Sequence, residues 1–104
     1  MKGLVDQAAA VLDLPCALTE DDFDVHTEYN GEGYWDVTSG TKEAIRLAAR
    51  SEGLFLDPIY TGKAMSAVIG EIRNGHIGRG ETVVFVHTGG LPIIFQFDEV
   101  LSKL

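Results

Sequence analysis

The residues best suited to chemistry fall in two short clusters and one aromatic pair. Tyr60 and Thr61 follow Asp57-Pro58-Ile59, and Thr88, Gly89 and Gly90 follow the apolar run Thr82 to His87. Tyr34 and Trp35 sit in the turn-forming stretch Asn30-Gly31-Glu32-Gly33. One tyrosine, two threonine hydroxyls and open glycine backbone suit the holding of a heteroaromatic cofactor by neutral hydrogen bonds. A tyrosine can also pass a proton if its pKa is lowered. Two uses are open to Tyr34 and Trp35: lining a pocket, or covering the domain's own core. For Tyr60 the plain alternative is a turn whose tyrosine simply packs.

Other chemistries lack their parts. His26, His76 and His87 stand in unrelated contexts with no metal-ligand spacing, so no metal site is expected. Ser39 and Ser66 have no paired base in sequence. His76-Ile77-Gly78-Arg79-Gly80 is rich in glycine but lacks the lysine and hydroxyl residue of a phosphate-binding loop. The single cysteine, Cys16, cannot form an internal disulfide and is expected to be buried and inert. With net charge −8 and eight scattered Lys and Arg residues, the chain is ill matched to nucleic acid. No apolar run reaches the roughly 20 residues of a membrane helix, and the start lacks a basic-then-apolar leader. A cytoplasmic protein is the expectation.

The elements that must position these residues read as one domain over 1–104. Hydrophobic residues at 45% and charged residues at 23% are typical of a globular chain. Leu4, Val5, Ala8, Val11 and Leu12 predict an amphipathic helix that Pro15 ends. Val25 to Tyr29 can be extended. Ser39 and Thr41 are candidate caps for a helix to about Glu52, with Ala44, Ile45, Leu47, Ala48 and Ala49 on its apolar face and Gly53 as its stop. Leu54 to Leu56 predicts a buried strand, stopped by Asp57-Pro58. Thr61 is a candidate cap for a helix whose apolar face is Ala64, Met65, Val68, Ile69 and Ile72 and which ends near Asn74-Gly75. Thr82 to His87 predicts a strand buried on both faces, and Pro92 fits the first turn of a last helix. The order is helix, extended segment, helix, strand, helix, strand, helix. It predicts an α/β architecture, a partial open parallel sheet with helices packed on it. Right-handed crossover makes the two strands neighbours, with both site loops at the carboxyl edge, where ligands bind in such sheets.

Asp57 to Met65, then His87-Thr88-Gly89-Gly90 with Pro92, together resemble the C-terminal third of the D-cysteine desulfhydrase and 1-aminocyclopropane-1-carboxylate deaminase family. Gly33-Tyr34 and Glu43 to Gly53 resemble the same family in the same order and spacing. The likeness covers almost the whole chain, and it implies part of a tryptophan-synthase-β-like domain that uses pyridoxal 5′-phosphate. By this resemblance Tyr60 is the active-site tyrosine near the reacting carbon and Tyr34 a second one on the substrate side. Thr61 takes the place that faces the pyridine nitrogen, where deaminases carry glutamate. Thr88 takes a place where deaminases carry leucine, with Gly89 beside it at the cofactor. A neutral threonine favours a protonated pyridine less than a carboxylate does, which suits loss of sulfide better than opening of a cyclopropane ring. Trp35 departs from the small residue the family carries after Gly33-Tyr34.

The family's Schiff-base lysine has no counterpart in setting among Lys2, Lys42, Lys63 and Lys103, and its phosphate-cradling loop is absent. The leading expectation is therefore a C-terminal portion of a lyase, silent alone. The alternatives are half of a split enzyme with a separate N-terminal chain, and an interaction module reusing the fold. Each leaves apolar faces to be covered, so a homo-oligomer is expected. A small amino acid is the substrate of any active form.

Overall fold

In a computed structural model, which describes residues 1–15 and 18–103, four α-helices form among the described residues: α1 (Lys2–Val11), α2 (Ser39–Glu52), α3 (Thr61–Arg73) and the single turn α4 (Asp98–Leu101). Short 3-10 turns lie at Glu20–Asp22, Glu28–Asn30 and Leu91–Gln96. Cys16 lies outside the described residues.

α2 forms as its periodicity predicts. Ala44, Ile45 and Ala48 are buried, and Gly53 closes the helix in the left-handed conformation at φ 67°. The cap is Thr38 rather than either candidate, Ser39 or Thr41. Its Oγ1 accepts from the Thr41 N–H at 3.1 Å. α2 packs on α3 around a small core of Ile45, Ala48 and Leu56, with Met65, Phe85 and Leu101 against it. A two-pronged Glu43–Arg73 ion pair, at 2.7 and 2.9 Å, ties the outer sides of the two helices.

The turn into α3 is built on a carboxylate. Asp57 is fully buried, and its Oδ2 accepts from the N–H groups of Ile59 (2.8 Å) and Tyr60 (2.7 Å). Its Oδ1 accepts from the Thr61 N–H (2.8 Å) and the Thr61 hydroxyl (2.6 Å). The Asp57 N–H returns a bond to Thr61 Oγ1 at 2.9 Å. Thr61 is thus the first helical residue rather than the cap, and Asp57 satisfies the N–H groups that a helix start leaves open.

The expected sheet does not form: among the described residues there is no strand. Residues 54–57 and 82–90 do meet, through His87 Nε2 and the Phe55 carbonyl at 2.9 Å. Gly90, at φ 88°, also meets Asp57 so closely that a Cβ would stand 2.6 Å from its carboxylate. Among the described residues, however, no backbone–backbone hydrogen bond joins the two segments. The third expected extended segment, Val25 to Tyr29, runs into the Glu28–Asn30 turn. The reason is a lack of layers. A parallel strand is stable when both faces are covered, yet Val83, Val84 and Val86 are 42, 80 and 71% exposed. Periodicity reports a strand's wish to be buried, and only neighbouring strands turn that into a ladder.

Open apolar surface extends beyond these segments. On α1 only Ala9 is buried, while Leu4 and Val11 face solvent. On α3 the buried positions are Thr61, Gly62, Lys63, Ser66 and Glu71, whereas Val68 and Ile69 are half-buried and Ile72 is exposed. The accessible surface is 7587 Å², against about 5,700 Å² for a compact monomer of this mass. The radius of gyration is 15.9 Å, against about 13 Å for a compact domain of this length. No helix among the described residues is long and apolar enough to cross a membrane.

Burial raises the pKa of Asp57, but the bonds from the Thr61 hydroxyl and the N–H groups of Thr61, Tyr60 and Ile59 outweigh it and hold the carboxyl below its ordinary value. A depressed folded-state pKa gives stability that is present above the unfolded value, about 4, and is lost as pH falls through the folded one. Asp57→Ala is expected to cost about 2 kcal/mol at neutral pH and to flatten this acid limb, as read by urea melts between pH 3 and pH 7.

Candidate functional site

The loop before α2 and the turn before α3 bring two of the expected residues together. The hydroxyls of Tyr34 and Tyr60 share a hydrogen bond, with their rings edge to face at 5.8 Å. Both rings are about half exposed, at 50 and 46%. Tyr34 is braced edge-on by Trp35 at 4.7 Å, and Trp35 stacks on Phe97 at 6.3 Å. The pair borders a cavity of about 330 Å³ lined by Asn30, Gly33, Tyr34, Ile59, Tyr60 and Lys63. Tyr34 thus lines a pocket, and Trp35 braces it while reaching the C-terminal segment.

Lys63 holds this arrangement. Its side chain is buried, and Nζ donates to the carbonyls of Asn30 (2.8 Å), Gly33 (2.9 Å) and Tyr34 (3.0 Å). An ammonium has three donors and all three are used. α3 therefore carries a cation that gathers the 30–34 loop from beneath and presents Tyr34 to Tyr60. The loop closes from its other side through Asp36, whose Oδ2 accepts from the Glu32 N–H at 2.9 Å.

The hydrogen bond to Tyr60, burial and the nearby Asp57 charge raise the Tyr34 pKa above the ordinary phenol value. At neutral pH Tyr34 keeps its proton, so the pair can donate a hydrogen bond to a polar substrate group but Tyr34 is no base.

The remaining expected residues lie elsewhere. Thr61 adjoins Tyr60 in the chain, but it is buried and its proton is given to Asp57. Thr88 is exposed and, among the described residues, forms no side-chain hydrogen bond, while Gly89 beside it is half-buried at φ 113°. Sequence reasoning missed Lys63 as an organiser, since nothing in its sequence neighbourhood announces three carbonyls 29 to 33 residues away.

A second polar cluster sits further along α3. Buried Glu71 accepts from the Tyr29 hydroxyl at 2.7 Å and pairs with His76 Nδ1 at 2.6 Å, and His26 Nδ1 lies 2.9 Å from Glu28. The bonds from Tyr29 and His76 hold the Glu71 carboxyl below its ordinary value, and the bond with Glu71 pushes Tyr29 up to about 12.

Comparison with known proteins gives this geometry a context. The family model described as pyridoxal-phosphate dependent enzyme matches residues 2–89. The 1-aminocyclopropane-1-carboxylate deaminase of Burkholderia ambifaria is 40% identical over 95 residues, 91% of this chain and 28% of its own length. That of Ralstonia nicotianae is 42% identical over 86 residues, covering 83% and 25%. That of Ralstonia pickettii is 40% identical over 100 residues, covering 96% and 30%. The chain thus spans between a quarter and a third of the length of these curated relatives.

Replacing Lys63 by methionine keeps its length but leaves three carbonyls without a donor. Lys63→Met is expected to cost about 2 kcal/mol and to free the 30–34 loop. The 30–34 amides should exchange faster with deuterium, while the far-ultraviolet helical signal of α2 and α3 persists.

Proposed function

The chain belongs to the pyridoxal-phosphate-dependent enzymes, and from that premise we propose that it supplies the tyrosine wall of a D-cysteine desulfhydrase-like lyase site and is catalytically silent alone. The observation that carries this reading is the state of Lys63. An amine must present a free lone pair to form an imine with an aldehyde. The lysine beside Tyr34 and Tyr60 is buried with its protons shared among three carbonyls. Lys42 and Lys103 are exposed, and Lys2 pairs with Asp6. The Gly90 backbone lies against the Asp57 carboxylate, whose charge repels a phosphate. The chain's own residues therefore do not fit a covalently held pyridoxal phosphate.

What the chain offers such a site is the Tyr34–Tyr60 pair, two hydrogen-bonded phenols that border a cavity and can donate to a polar substrate group. The relatives are named as deaminases. Our preference for elimination of sulfide from a small amino acid rests on the resemblance alone, which places Thr61 and Thr88 where deaminases carry glutamate and leucine; here the Thr61 hydroxyl is given to Asp57. Exposed Phe55, Val84, Val86 and Phe95, with the surface in excess of a compact monomer, support a covering partner. We take that partner to be a second copy, with a separate N-terminal half as the alternative.

The test mixes the purified chain with pyridoxal phosphate, reduces with borohydride and maps adducts by mass spectrometry, with D-cysteine turnover and sedimentation measured in parallel. Scattered surface labelling, no sulfide release and a species heavier than a monomer are expected. A specific adduct at Lys63 would sink the reading. Turnover that appears only on adding the N-terminal portion of a relative would replace the silent chain with a half-enzyme.

A further inference from the structure

The second polar cluster is used by nothing above. We propose that His26, Glu28 and Glu71 bind a divalent transition-metal ion of the zinc class. One imidazole nitrogen and two carboxylate oxygens converge from the 26–28 loop and from α3, all within 4.8 Å of one another. Neighbouring ligand atoms of a four-coordinate zinc stand about 3.4 Å apart, given bonds of about 2.0–2.1 Å. Here His26 Nδ1 is 2.9 Å from Glu28 Oε1 and 3.7 Å from Glu71 Oε1, on either side of that value. Small side-chain rotations close the set. Two carboxylates and a neutral imidazole balance the charge of a divalent ion, and this mixed donor set suits zinc or cobalt rather than a hard cation that takes oxygen alone.

The surroundings are arranged as metal ligands require. Asp24 Oδ2 stands 3.1 Å from His26 Nε2, the ring nitrogen that the ion does not use, where a carboxylate favours the tautomer with Nδ1 free for the ion. The ion takes the place of the proton that Nδ1 shares with Glu28. Glu71 is held by the Tyr29 hydroxyl on one oxygen and by His76 on the other. Tyr29 lies directly over Gly70, where any side chain would collide with its ring. His26 and Tyr29 also line a cavity of about 360 Å³ that continues to Tyr60 and Lys63. An ion can enter through that space and keep room for water in its remaining position. The assignment does not rest on the lyase reading.

The test titrates Zn²⁺ into the tag-free, chelator-stripped full chain by calorimetry and follows Co²⁺ by its visible absorption. One ion per chain is expected. His26→Ala and Glu28→Gln, both outside the core, should each weaken binding at least tenfold with the melting profile intact. Cys16→Ser should bind as the parent does. No saturable binding, binding that survives both His26→Ala and Glu28→Gln, or binding lost in Cys16→Ser overturns the assignment. Glu71→Gln is a weaker probe, because it also breaks the Tyr29 and His76 bonds.

Discussion

A buried ammonium held by three backbone carbonyls is the interaction on which the site depends. Burying a cation is costly unless its donors are all satisfied. Most proteins meet that need with a carboxylate, whereas here the carbonyls of Asn30, Gly33 and Tyr34 meet it. Carbonyls leave the net charge uncancelled, but they fix backbone, and fixing backbone is what the site needs. A loop rich in glycine would otherwise sample many conformations. Three bonds from one atom choose a conformation, and Tyr34 reaches Tyr60 as a result. The same bonds explain why the lysine nearest the tyrosines is unsuited to imine chemistry. Structure and reactivity compete for one amine, and structure has it.

Much of the helical framework was legible in the sequence because helices are local. The apolar spacing of Ala44, Ile45 and Ala48, the stop at Gly53 and the Asp57-Pro58 break each depend on residues a few positions apart. The α2 cap falls at Thr38 rather than at Ser39 or Thr41, since neighbouring hydroxyl residues are similarly able to cap. The sheet was illegible for the opposite reason. Leu54 to Leu56 and Thr82 to His87 have strand composition, but a ladder is made between segments. The described residues supply neither the backbone pairing nor the covering layers. No spacing rule foretells that Tyr34 meets Tyr60, because 26 residues separate the two.

The α3 helix shows best how pattern and burial part company. Its apolar residues, Val68, Ile69 and Ile72, look like a core face and remain partly or largely open. Its buried face is small and polar. Such a division has a physical reading: the polar positions are already satisfied within the chain, by Asp57, the 30–34 loop and Tyr29, while the apolar side is only partly covered, Met65 meeting the core and Ile72 staying open. A chain that matches between a quarter and a third of the length of its curated relatives is where such a division is expected.

One helix thereby serves both polar clusters. Lys63 and Glu71 are eight residues apart, which at 100° per residue sets them within about 80° of each other around α3. Ala67 lies between them and Gly70 just beside that stripe, and their small size lets the 26–34 loop lie close against the helix. Thr61 stands about 200° around from Lys63 and turns instead toward Asp57 and the core. The cation draws in the loop's carbonyls and the anion draws in Tyr29 and the two histidines, so one short loop is held at both ends by opposite charges on a single rigid element. The tyrosine pair and the histidine–carboxylate cluster are therefore anchored on the same helix, with the distance between their charges set by α3.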